Sequence, residues 1–254
     1  MTVKVIALNT FKEAVRDRIL YLLLFFAAVS ILFSRVLALL TVGDRAKIIK
    51  DVGLASISLF GALMAVLIGT GLVYKEIEKR TIFTLISKPI RRHEFLLGKF
   101  FGLLLTLLVM LAAMSLIFVA LVFVETRAVE WRLFAAIFLV FFELALITAV
   151  AVLFSCFSTP ILSSLFTISF YLIGHFSWSL DLLIKKARAG AAKASLRVLS
   201  AVLPNLENFN VRTEAVQGLP FPPGLFLYAP AYGIAYAAFV LVLAVLVFRR
   251  RDFV

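Results

Sequence analysis

The chain has 254 residues, 63% of them hydrophobic and 16% charged, with a mean hydropathy of +1.10. A soluble domain of this size cannot cover so much apolar surface, so the composition excludes a soluble globule and implies a polytopic membrane protein. The net charge of +12 belongs to water-exposed loops and anionic lipid rather than to nucleic acid, and the single cysteine, Cys156, excludes an intrachain disulfide and a cysteine-based metal cluster.

Residues 1–18 are amphipathic. Leu8, Phe11 and Val15 share one helical face with Ala7 and Ala14, and Asn9, Lys12, Glu13 and Arg16 lie opposite. This predicts a helix in the cytoplasmic interface that leads into the first span. Charges persist to Arg18 and the apolar run that follows is longer than the core of a signal peptide, so no cleaved leader is expected. The first span is residues 19–42, where Arg35 must snorkel or pair. Residues 43–51 read as a short polar outer loop. The second span, residues 52–73, carries no charge, and Gly61, Gly69 and Gly71 permit close approach of another helix.

A charged island follows at residues 74–102. Lys75, Lys79, Arg80, Lys88, Arg91, Arg92 and Lys99 outnumber Glu76, Glu78 and Glu94, which puts the loop at 75–94 on the cytoplasmic side. Ile77, Ile82, Leu85 and Ile86 make an apolar stripe on a short helix over 76–87, which Pro89 stops. Such a helix between two spans suits docking of a partner, and a basic loop that only sets topology is the plainer reading. The third span, residues 95–124, begins with the small-residue pair Gly98 and Gly102. Residues 125–130 form a tight outer loop, with Trp131 as an interface anchor.

The fourth span, residues 132–154, holds Glu143 near its middle. An ionisable group at that depth is costly and must face a cavity or a partner. It is read either as a pathway or proton-linked carboxylate or as a structural hydrogen bond between helices. Thr159 and Pro160 break the chain before the fifth span, residues 161–180, in which His175 reads as a hydrogen-bonded core or interface residue. Residues 181–229 form the long outer loop. Its first part, to Leu203, is a basic amphipathic helix ended by Pro204. Asn205 is placed to cap a second short helix, and Pro220, Pro222 and Pro223 force an extended return. The last span is residues 230–248, and Arg249 to Arg251 hold the C-terminus inside.

The expected fold is therefore an all-α integral membrane protein. It forms a single domain over 1–254 with six transmembrane helices, an N-terminal interfacial helix over 1–18, a cytoplasmic loop at 75–94 and a helical extracytoplasmic loop at 181–229. Across the whole chain the Lys and Arg bias between the two sides is slight, so the orientation rests on clusters beside the spans. Catalytic motifs are absent: there is no Walker A loop, no HExxH and no GxSxG, and Glu143 has no second intramembrane carboxylate. No metal site and no enzymatic activity are expected of this chain.

The central run Glu76, Glu78-Lys79-Arg80-Thr81, Leu85, Ser87-Lys88-Pro89, Arg91-Arg92, Glu94 and Gly98-Lys99 resembles the membrane subunit of ABC transporters of the type-2 exporter class. Residues 203–216, LPNLENFNVRTEAV, and the terminal FRRRDF are similar to bacterial permeases encoded with nitrous oxide reductase maturation genes. Many members have Gly where this chain has Arg80. The resemblance implies a pathway formed by two permease subunits, most simply a homodimer, each docking a separate ABC ATPase that binds ATP and magnesium. It implies docking through Glu76, Glu78, Arg80, Leu85 and Ile86, supported by Lys12 and Arg16, with membrane lipid around the spans in a prokaryotic cell membrane. The competing class is a secondary transporter or membrane scaffold working through Glu143. Such transporters usually show internal repeats and broken helices in matching halves, and this chain shows neither.

Overall fold

With apolar side chains along most of the chain, the polar group that a bilayer cannot accept is the backbone, and a helix satisfies it within each segment. The computed structural model describes residues 2–40, 43–78, 91–176 and 203–250, with 72–78 and 250 described by backbone alone. Among the described residues there is no strand. The elements are α1 (Thr2–Val15), α2 (Arg18–Leu39), α3 (Arg45–Glu78), α4 (Arg92–Thr126), α5 (Trp131–Ser155), α6 (Pro160–His175), a 3-10 turn (Leu206–Phe209), α7 (Arg212–Gln217) and α8 (Leu225–Arg250). Five of them, α2, α3, α4, α5 and α8, are long and apolar enough to cross a membrane. Helix α6 has 16 residues, about 24 Å, against a hydrocarbon core of about 30 Å. The remainder of the expected fifth span and the amphipathic helix expected before Leu203 lie outside the described residues.

Local chemistry sets the breaks. Asp17 caps α2, its carboxylate accepting the Ile19 amide at 3.0 Å, and so separates α1 from the first span. Thr159 and Pro160 start α6 as expected, with proline in the first turn, where its missing N–H costs nothing. Asn205 accepts the Glu207 amide at 3.0 Å and caps the 3-10 turn, also as expected. One boundary differs. Residues 45–51 are the first turns of α3, not a loop. The stretch contains no Gly or Pro, and the amides of Lys47 and Ile48 bond to the Asp44 carbonyl, so the helix simply projects beyond its apolar part.

Helix α5 is the centre of the bundle, packed by α3, α4, α6 and α8. A Cβ at Gly61 would meet the Leu144 side chain at 2.7 Å and one at Gly69 the Ala151 Cβ at 3.1 Å, so α3 and α5 approach closely along that row. Gly71 faces open space and serves no such contact. Ser30 and Ser56 join α2 to α3 at 2.8 Å, and Thr70 and Ser164 join α3 to α6 at 2.8 Å. Helix α2 turns Phe25, Phe26, Leu32 and Phe33 outward, and Arg35 is exposed on the same helix. Trp131 is exposed at the start of α5, edge-on to Phe221 and 6.0 Å from the Arg132 guanidinium, which fits its expected anchoring position.

Candidate functional site

Two ends of the molecule carry the residues singled out by the sequence. At one end, Glu76 and Glu78 belong to the last turn of α3, so the short helix expected over 76–87 is, at its start, a continuation of the second span. Arg80, Leu85 and Ile86 lie outside the described residues. Lys12 is exposed on α1, and Arg16 is exposed just past its end.

Helix α1 does not rest on the bundle by its most hydrophobic face. Leu8 is exposed, whereas Thr10 and Ala14 are buried, with Val3, Ile6 and Ala7 partly so. The reason is the surface of α4. A Cβ at Gly98 would lie 2.6 Å from the Ile6 Cβ, and one at Gly102 would lie 2.6 Å from both the Ala7 carbonyl and the Thr10 Cβ. Two glycines one turn apart form a trough, which receives the Ile6, Ala7 and Thr10 face of α1. Glu13, expected on the polar outer face, turns inward to Lys99, Nζ to Oε2 3.4 Å. Lys99 is 1% exposed, so it is a packing cation and not a free charge of the loop.

At the other end a cavity of about 290 Å³, lined by both apolar and polar side chains, lies between α3, α5, α6 and the segment 209–212. Glu143 points into it from α5 and is 2% exposed. Its Oε1 has no hydrogen-bond partner, and the nearest cationic candidate is His175 of α6, with Nε2 at 3.5 Å. At that distance the pair attracts if the imidazole is protonated but does not form a good hydrogen bond. His175 is itself held in place: its Nδ1 is 3.3 Å from the Tyr171 carbonyl, and its ring lies 4.5 Å from the Tyr171 ring. Tyr171 lines the cavity opposite Ser58 of α3. Three helices therefore bring Ser58, Glu143, Tyr171 and His175 to one place.

The roof of this cavity is fastened by charge. Arg212 makes a two-pronged bond to Asp51 at 2.5 and 2.8 Å, and the neighbouring Lys50 pairs with Glu130 at 2.5 Å. Arg132 donates to the Leu219 carbonyl at 2.8 Å. Phe209 and Leu206 are buried beneath the roof, and the Asn205 amide donates to the Tyr232 hydroxyl at 3.0 Å.

Glu143 faces a cavity, and its Oε1 makes no hydrogen bond among the described residues. His175 is a hydrogen-bonded, partly buried residue as expected, and its other ring nitrogen faces that carboxylate. Its pairing with Glu143 escaped the sequence because the two are 32 positions apart. They are nevertheless nearly equidistant from the turn at 156–159, and an antiparallel helical hairpin puts such residues at one depth. Among the described residues no group of acidic, histidine or cysteine side chains is arranged to hold a metal. A buried carboxylate, an imidazole and a phenol around a small cavity can bind a cationic or hydrogen-bonding group, or exchange a proton.

The family model described as "ABC-2 family transporter protein" matches residues 4–253. No curated protein matches the chain.

Proposed function

The chain belongs to the ABC-2 transporter family, and on that premise we propose that this ABC transporter membrane subunit works as one half of an ATP-driven exporter. A second permease subunit, most simply a copy of the same chain, completes the pathway. Separate ATPase subunits, which hold ATP and magnesium, dock on the loop at 75–94. Both termini and that loop face the cytoplasm of a prokaryotic cell. Six crossings are made, with residues 161–180 completing the fifth. The family assignment displaces the secondary-transporter alternative, and Glu143 is retained as a pathway residue.

The observation that carries this reading is the continuity of α3. Its 34 residues extend about 51 Å, well beyond a hydrocarbon core of about 30 Å. One end carries Glu76 and Glu78 toward the docking loop. The other carries Asp51, which holds the roof, and Ser58, which lines the cavity. A push on Glu76, Glu78, Arg80, Leu85 and Ile86 therefore displaces the helix that holds the roof shut. Lys12 and Arg16 offer a second contact, and because α1 is seated in the α4 trough, α4 moves with it. Residues 181–210 then act as the lid on the exit side.

Co-purification in mild detergent from the native host tests the assignment. The tagged chain is expected to recover an ATPase in one-to-one ratio. The Glu78→Lys/Arg80→Glu variant should insert normally and lose the ATPase. A normal complex from that variant overturns the docking residues, and a clean preparation without any ATPase overturns the exporter reading. The likeness of residues 203–216 supports a subgroup similar to permeases encoded with nitrous oxide reductase maturation genes, which the neighbouring genes would decide.

A further inference from the structure

A second, larger cavity lies on the flank of the bundle, away from Glu143. It is a groove of about 680 Å³ between α4, α5 and α8, with walls such as Leu104, Phe142, Ala238 and Val242. It runs along α8 from Gly233 to Arg249, about 24 Å, which exceeds the roughly 15 Å of one leaflet of the hydrocarbon core. At the end where α4 begins and α8 finishes, the groove stops against His93 and Arg249. The same two residues, with Arg91 and Arg92, line an adjoining polar pocket of about 550 Å³. An apolar slot thus opens directly into a cationic rim.

The rim is built, not incidental. Arg92 donates to the carbonyls of Phe248 and Arg249 at 3.2 and 2.8 Å and ties the start of α4 to the end of α8. The rings of Phe95 and Phe248 stack beneath it at 6.1 Å. Glu94, the acid of this turn, faces the Arg91 amide at 3.1 Å. Arg91, His93 and Arg249 are exposed around the polar pocket.

We propose that this groove is a binding site for an anionic phospholipid, with an acyl chain along α8 and the headgroup phosphate held by Arg91, His93 and Arg249. Guanidinium groups match phosphate in charge and geometry, and a basic pocket between spans at the membrane surface is where an anionic headgroup is captured. The occupant carries both a negative headgroup and a long apolar tail, because neither half of the site accounts for the other. The inference rests on the membrane assignment and is independent of ATPase docking.

Native mass spectrometry of the full chain, purified with whatever partner accompanies it, tests this with phosphatidylglycerol and phosphatidylcholine of identical chains. Wild-type protein is expected to prefer phosphatidylglycerol. Arg91→Ala/Arg249→Ala should lose about five-fold in that preference for each cation removed. Ala238→Trp, which fills the slot from an exposed position, should weaken both lipids together. Equal binding of the two lipids by wild type overturns the proposal, as does unchanged binding in both variants. Competition by glycerol phosphate as effective as that by the intact lipid would mean an anion site alone and would also overturn it.

Discussion

The two ends of the molecule are held together by different physics. At the α1 end the contact is made by shape: Gly98 receives Ile6, Gly102 receives Ala7 and Thr10, and Lys99 is buried against Glu13. At the roofed end it is made by charge. Asp51 and Arg212 pair with their side chains about half exposed, over a cavity that leaves one carboxylate oxygen unbonded. Close packing is bistable and transmits displacement, whereas an exposed ion pair is weak and screened by salt. The difference suits a transporter in which one end receives force and the other opens.

The strongest challenge to that contrast is to fill the trough. Gly98→Leu/Gly102→Leu should cost about 1–3 kcal/mol at each site, release α1 and expose residues 1–18 to protease. Thermal unfolding in detergent and limited proteolysis report it, and a protected α1 in this variant would mean that shape is not what holds it. Replacing the unbonded acid should act in the opposite direction. Glu143→Leu is expected to raise stability by about 1–3 kcal/mol while transport is lost, because the buried oxygen no longer needs a partner. A stable variant that still transports would mean that Glu143 has no part in the pathway. The smallest effect belongs to the roof. A double-mutant cycle on Asp51→Asn and Arg212→Gln should give a coupling of about 1 kcal/mol or less that shrinks at high salt. A larger, salt-independent value would mean that the roof is as firmly built as the trough.

Five spans were legible because hydropathy alone decides them, and the stops at Thr159-Pro160 and Asn205 because backbone chemistry does. The seating of α1 was not. Its pattern marks an interfacial helix with Leu8, Phe11 and Val15 on the apolar face, but the face that packs on α4 is set by the glycines of α4, which are not written in α1. The start of α3 was misread for a related reason: polarity marks where the membrane ends, and a helix need not end there. Glu143 stood out as a costly residue, and its neighbours Tyr171, His175 and Ser58 come from two other helices whose pairing only the fold supplies.

The unbroken run of α3 fixes phase as well as reach. At 3.6 residues per turn, one residue inserted between Ser58 and Glu76 turns Glu76 and Glu78 by about 100° relative to the cavity wall. Four inserted residues nearly restore the facing and add about 6 Å. The chain is thereby tolerant of lengthening by whole turns and intolerant of single steps, so the spacing between Glu76 and the cavity is a constraint on how sequences of this kind can drift.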